Sequence, residues 1–263
     1  MEARNKIAAT TLIMEVTRRC NMVCAHCLRG NAENMDMTET IVDRTLESIS
    51  EIQSLVFSGG EPFMNHRIMQ YMLQQVKEMN VPVYSVYVVT NGKEVKDEYL
   101  KLMDDWVLYV LSCCYATDEW IDESVHMPES SEELQKSTNY SGVSISRDRY
   151  HESIPTENYL KWRLRSYYST SKENGDTQYS LINEGRAKDN GIGEREIKTD
   201  TFFIEDRSDG FLVVDELYVS ADGNVVPDCN MSYQSIEEKS FGNILEKPLR
   251  DILIGDEEPS WGI

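Results

Sequence analysis

No run of apolar residues approaches the eighteen or so that a membrane-spanning helix needs, and no charged N-terminal segment leads into an apolar signal core. Both absences lead to the expectation of a soluble, cytoplasmic protein. Basic residues are also scarce: 26 Lys and Arg stand against 46 Asp and Glu, for a net charge of -20 and a pI near 4.6. Nothing forms a basic stripe, which argues against a nucleic-acid partner, because phosphate binding needs clustered Lys and Arg. The acidic surface either favours a basic ligand or peptide or simply keeps the chain in solution by repulsion. Cysteine is sparse too, with six in 263 residues. In a chain of this size without a signal segment, those six are expected as thiols or metal ligands, not as a disulfide framework.

Three of the six are crowded into Cys20-Asn21-Met22-Val23-Cys24-Ala25-His26-Cys27, a CxxxCxxC run. Three thiolates at this spacing can hold three corners of a cubane iron-sulfur cluster and leave the fourth iron without a protein ligand. A structural zinc site needs a fourth tetrahedral ligand, and His26, wedged between Ala25 and Cys27, is badly placed to supply it.

The run leaves the end of a β-rich segment, residues 7–16, through Thr17-Arg18-Arg19. Thr38 then suits the N-cap of a helix whose apolar face is Ile41, Val42, Leu46 and Ile49. Residues 54–57 read as a second strand running into Ser58-Gly59-Gly60-Glu61-Pro62, and Met69, Met72, Leu73 and Val76 give the next helical face. Residues 81–89 alternate as a third strand closing in Thr90-Asn91-Gly92. Strand, helix, strand, glycine-rich turn, helix is the rhythm of a parallel α/β sheet. In such sheets ligands bind at the carboxyl ends of strands, so the cysteine loop and the Gly59–Pro62 turn fall at one end. The two glycines let backbone approach a ligand, Glu61 offers a carboxylate to an ammonium group, and Pro62 stiffens the exit.

With both motifs in view, the chain resembles the radical S-adenosylmethionine (radical SAM) enzymes. Residues 17–27 look like that family's cluster loop, and Gly59-Gly60-Glu61-Pro62 looks like its motif for the methionine amino group. The resemblance implies one 4Fe-4S cluster held by Cys20, Cys24 and Cys27. Its open iron would chelate S-adenosylmethionine, and reduction would release a 5′-deoxyadenosyl radical that takes a hydrogen atom from a substrate. It further implies a flavodoxin- or ferredoxin-type reductant, and packing of His26 by the adenine. Thr90 and Asn91 fall near the cofactor, although Asn-Gly is a common turn dipeptide in any protein.

Further along, residues 96–115 carry apolar positions at helical spacing, and the adjacent Cys113 and Cys114 diverge on that helix as packing or free thiols. Residues 117–139 are acidic without an apolar period and read as an insertion or lid. Residues 141–146 form the next strand. In the family such a strand carries groups that touch the SAM ribose or carboxylate, which makes Ser144, Ser146 and Asp148 candidates. His151 is either a proton shuttle or a structural hydrogen-bonding group. A helix over 157–168 and a strand over 177–182 follow, and Arg186 suits a carboxylate, a phosphate-like group or an adenine edge as well as a surface salt bridge.

Residues 188–196 make the domain boundary. The expected fold is α/β: a partial TIM-like (β/α)6 barrel over residues 1–190, since a full eight-unit barrel needs about 250 residues, with a small α+β extension over 191–263. Residues 216–220 and 224–227 flank Ala221-Asp222-Gly223 as a hairpin, and a short helix closes the segment. This extension resembles the SPASM or twitch extensions of peptide-modifying radical SAM enzymes, with Cys229 where an auxiliary-cluster ligand falls. No cysteine follows Cys229, so an auxiliary 4Fe-4S cluster is not expected. Cys229 is then either a packed thiol or a hydrogen-atom donor to a substrate radical, as in radical peptide epimerases. The leading expectation is peptide modification, such as epimerisation or crosslinking. A small-molecule or nucleotide substrate and a non-catalytic iron-sulfur sensor are the other readings. No peptide-clasping domain is recognisable before residue 7.

Overall fold

The computed structural model describes residues 6–117, 141–146, 148–163, 180–196, 204–206 and 212–254. The first element, β1 (Ile7–Thr17), is buried along nearly its whole length, as expected of a parallel strand covered on both faces. Parallel neighbours follow in chain order: β2 (Ile49–Gly59), β3 (Val86–Thr90) and β4 (Gly142–Ile145). The connecting helices are α1 (Glu39–Glu47), α2 (His66–Glu78) and α3 (Asp97–Thr117). A 3-10 turn over Pro62–Asn65 leads into α2.

The sheet continues on the other side of β1. Its order is β4-β3-β2-β1-β6-β7-β8, with β6 (Leu212–Val219) parallel to β1 from Ile7↔Leu212 to Met14↔Val219. Antiparallel strands β7 (Asn224–Val226) and β8 (Gly242–Asn243) extend it, and β5 (Ile204–Asp206) pairs antiparallel with the start of β6. The hairpin expected after residue 215 forms between β6 and β7, and its first strand is built into the main sheet. Smaller helices are α4 (Thr156–Arg163), α5 (Gly185–Asp189), α6 (Tyr233–Lys239) and α7 (Leu249–Ile254).

The α/β class and partial TIM-like arrangement hold, with a sheet that is mostly parallel. Several boundaries differ from the expectation. Ile49 opens β2 instead of ending the helical face of α1. β3 starts at Val86, and Val83 makes only an isolated bridge to Ile52. The acidic stretch 118–139, the end of the helix called over 157–168 and most of the strand called over 177–182 lie outside the described residues. Ile182 makes a parallel bridge to Arg195. Among the described residues, no helix is long and apolar enough to cross a membrane.

Among the described residues, the two main cores lie on opposite faces of β1. The larger joins Leu12, Met14 and Val16 of β1 to α1, α2 and α3 through Leu46, Met69, Met72, Val76 and Trp106. The smaller packs Ile13 of β1 with Tyr218, Val226, Met231, Tyr233 and Ile236. Because side chains alternate along a strand, Glu15 follows Ile13 onto this second face.

Candidate active site

The cysteine loop begins where β1 ends, and the glycine turn begins where β2 ends. The two are joined backbone to backbone: Gly60 N donates to Thr17 O (2.8 Å) and Glu61 N to Arg19 O (2.8 Å). A Cβ on Gly59 would collide with the Thr17 carbonyl oxygen, and one on Gly60 with that of Arg19. The glycines therefore permit a close approach between two loops of the chain itself. Arg19 completes the splice with a two-pronged contact to Asp36 (2.8 Å each) and a bond to Met64 O (2.7 Å).

Cys20, Cys24 and Cys27 are free thiols, each partly buried. Burial, together with the neighbouring Cys27 and Cys20, pushes the Cys24 thiol up to about 11. Burial likewise raises Cys20, with Glu61 and Cys27 adding to it. Neighbouring sulfurs thus add to burial in disfavouring the thiolates of Cys20 and Cys24, a cost that bound iron would reverse. Donors already point at one sulfur, since Met22 N lies 3.5 Å and Asn91 Nδ2 3.8 Å from Cys20 Sγ. A three-thiolate cluster fits this loop.

Glu61 is buried at the centre. Its carboxylate accepts Thr90 Oγ1 (2.7 Å), Asn91 N (2.8 Å) and Phe63 N (3.3 Å). Burial raises its pKa to about 7 despite those donors. Glu61 thus ties the end of β3 to the glycine turn, which places Thr90 and Asn91 beside the cysteine loop, where Asn91 Nδ2 also donates to Asn21 Oδ1 (2.8 Å). Pro62 is buried as the first residue of the 3-10 turn.

A second cluster forms around His26. Its Nε2 lies 3.3 Å from Asp148 Oδ2, its ring stacks on Tyr150 at 5.1 Å, and His151 meets it edge-on at 4.7 Å. Asp148 also accepts Tyr150 N (2.7 Å) and His151 N (3.1 Å). Burial acts to raise Asp148, but the bonds from His151 and His26 prevail and hold it well below the usual carboxylate range. Ser144 is buried in β4, while Ser146, just beyond, donates its backbone N–H to Thr90 O (2.8 Å). Arg186 donates its backbone N–H to Cys27 O (2.9 Å), so α5 docks directly on the cysteine loop. Cys229 belongs elsewhere, with Glu216 and Asp228. Burial and Glu216 push its thiol up to about 12.

Sequence reasoning missed two supports of the loop. Lys93, one residue past the Thr90-Asn91-Gly92 triplet, reaches Asn21 O (2.8 Å) and Glu152 (2.6 Å), and Glu152 accepts Val23 N (3.2 Å). Beneath the loop lies a buried polar network. Glu15 accepts Arg18 Nε (2.8 Å) and Tyr218 OH (2.5 Å), and Arg18 also meets Glu33 (2.9 Å) and Asp222 (3.1 Å). Arg18 lies over the Tyr233 ring, while Arg29 lies over Tyr218 and donates to Met231 O (2.6 Å). The sequence signal was Glu15 itself: a lone acid in a β-rich apolar strand must find partners when buried.

Residues 11–141 match a protein family described as a 4Fe-4S single cluster domain. A relative, the S-adenosylmethionine-dependent nucleotide dehydratase RSAD2 of Siniperca chuatsi, is 25% identical over 122 residues, 45% of this chain and 34% of that protein. The tungsten-containing aldehyde ferredoxin oxidoreductase cofactor-modifying protein of Pyrococcus furiosus is 32% identical over 97 residues, 34% of this chain and 26% of that protein. The chain thus spans about a third or less of these curated relatives. Among solved structures, Streptococcus suis SuiB bound to precursor peptide SuiA aligns with a TM-score of 0.44 at 14% identity, over 97% of this chain and 67% of SuiB. Native anSMEcpe with bound AdoMet and Cp18Cys peptide aligns at 0.43 and 14%, over 95% and 81%. The cluster-domain match over residues 11–141 and the S-adenosylmethionine-dependent relative support a radical SAM superfamily protein, with a 4Fe-4S cluster and S-adenosylmethionine as the cofactors they point to.

Proposed function

We propose that the chain is a radical SAM enzyme that cleaves S-adenosylmethionine reductively and takes a hydrogen atom from a peptide. The observation that carries the enzymatic reading is the splice of the two loops through Gly60 and Glu61, which sets the three thiols and the Glu61 carboxylate on one rigid unit at the ends of β1 and β2. When bound, the cluster and SAM supply a one-electron cleavage that yields methionine and a 5′-deoxyadenosyl radical able to abstract hydrogen. The electron comes from a flavodoxin- or ferredoxin-type donor.

The chain's own residues bind and orient. Cys20, Cys24 and Cys27 act as thiolate ligands, and the donors on Cys20 fix its sulfur. Oε2 of Glu61 accepts Asn91 N and keeps a second lone pair for the methionine ammonium. A cation there offsets the desolvation of the carboxylate and favours its ionised form. Asp148 holds the His26 ring in place for the adenine face. Ser144, Ser146, Thr90 and Arg186 border the same end of the sheet.

Support for a peptide comes from the C-terminal hairpin and α6, which adjoin the cysteine loop through Tyr233 N to Arg29 O (3.0 Å), in a segment that resembles the SPASM or twitch extensions. The net charge of -20 also disfavours polyanions. The nucleotide named for the Siniperca chuatsi relative is the ground for a second reading, a nucleotide substrate.

Anaerobic incubation of the iron- and sulfide-reconstituted chain with SAM and dithionite tests the reading. We expect 5′-deoxyadenosine from the wild type and none from Cys24→Ala; intact SAM in both would leave a sensor. With short basic peptides, a mass decrease of two hydrogens marks crosslinking, and deuterium uptake from D2O marks epimerisation. Turnover of a nucleotide with every peptide unchanged would replace the peptide by the second reading.

A further inference from the structure

Where β6 and the loop after β7 meet, Glu216, Asp228 and Cys229 each offer a ligand atom within 4.8 Å of the others. Three acidic or sulfur groups brought together would mean little alone, but Asp228 adds an independent observation. The residue is only 7% exposed, its Oδ1 accepts both Asn230 N (2.7 Å) and Asn230 Nδ2 (2.9 Å), and its Oδ2 is buried with no hydrogen-bond partner. A buried carboxylate oxygen without a partner is costly unless something binds it. Glu216 is pinned facing the same spot, since its Oε1 accepts the Cys229 N–H (3.0 Å).

We propose that Glu216, Asp228 and Cys229 form a mononuclear divalent metal site of the zinc type, distinct from the cluster loop. One thiolate and two carboxylates are a ligand set that zinc accepts, and three protein ligands leave a fourth tetrahedral position for water or a substrate atom. The charge balance agrees. With the thiol ionised the three ligands carry three negative charges, the buried Arg29 beside them supplies one positive charge, and a divalent ion brings the sum to zero. Binding releases the thiol proton to solvent and involves no change of oxidation state. The ion would staple the β6–β7 hairpin to the loop that leads into α6, directly behind Arg29 of the cysteine loop. This assignment excludes hydrogen-atom donation by Cys229, because a metal-bound thiolate has no S–H to give.

The test uses the cluster-loaded chain equilibrated with Zn2+, desalted, and measured for both metals by mass spectrometry. We expect one zinc beside about four irons per chain in the wild type. Asp228→Asn and Cys229→Ser should lose at least nine-tenths of the zinc while keeping their iron, which also reports that each variant has folded. Cys24→Ala should lose iron and keep zinc. Zinc-edge X-ray absorption of the wild type should show a single sulfur at about 2.3 Å among lighter ligands. Absence of zinc from the wild type, equal zinc in Asp228→Asn and Cys229→Ser, or two or more sulfurs at the zinc would each overturn the proposal. None of these readouts depends on SAM cleavage, so this site and the radical activity can fail separately.

Discussion

Gly60→Ala separates two reasons for the glycine turn. If the glycines exist to let a ligand approach, an added methyl group should weaken SAM binding and leave the unliganded fold intact. The structure gives another reason: the methyl group would sit against the Arg19 carbonyl, and relieving that clash would break the Gly60-to-Thr17 and Glu61-to-Arg19 bonds. Gly60 does not adopt the left-handed backbone region, so the contact alone sets the cost. Overpacking costs about 1–3 kcal/mol and each lost bond about 1 kcal/mol, for a sum of about 3 kcal/mol or more. In a chain of this size that is a fall of roughly 6–12 °C in Tm. Thermal unfolding of the protein without SAM, followed by circular dichroism, is the assay. A variant melting within about 1 °C of the wild type while binding SAM poorly would refute the reasoning and restore the ligand-approach role.

Two further outcomes follow from buried charge. The folded-state pKa of Glu61 stands near 7, above its ordinary 4.5. Its contribution is therefore fully present below pH 4.5 and is lost as pH rises towards 7, by at most about 3 kcal/mol. Urea unfolding of the SAM-free protein should show the wild type losing stability relative to Glu61→Gln across this window; parallel pH profiles would contradict the burial argument. Arg18→Met should destabilise the chain by about 3–5 kcal/mol, because it strands Glu15 without its ion-pair partner in the interior. Glu15→Gln combined with Arg18→Met should recover part of that loss, and additive losses in urea unfolding would argue against a coupled pair.

The candidate site is legible in the sequence where it is local. Cys20, Cys24 and Cys27 lie within eight residues, and the βα rhythm from residue 7 to residue 90 is carried by periodicity. Element limits were less legible where an apolar residue serves either neighbour: Ile49 fits the spacing of α1, yet β2 claims it through the parallel bridge with Ile7. Long-range pairing left no local trace. The run 216–220 reads as a strand whichever partner it takes, and only the fold shows that β6 lies parallel to β1, some two hundred residues earlier. The network of Glu15, Arg18, Arg29, Tyr218 and Tyr233 is invisible for the same reason, since its members come from β1, the cysteine loop, β6 and α6. In the sequence Gly59 and Gly60 read as a turn that lets a ligand approach, whereas the close approach the structure shows is to Thr17 and Arg19 of the neighbouring loop.

The central claim is that three thiolates hold a cluster whose fourth iron is open to S-adenosylmethionine, and electron paramagnetic resonance addresses it directly. The dithionite-reduced chain, reconstituted with iron and sulfide, is compared before and after addition of SAM. A reduced 4Fe-4S signal whose g values shift when SAM is added is expected, and no such signal in Cys24→Ala. A cluster signal that SAM leaves unchanged, or one that survives in Cys24→Ala, would contradict it.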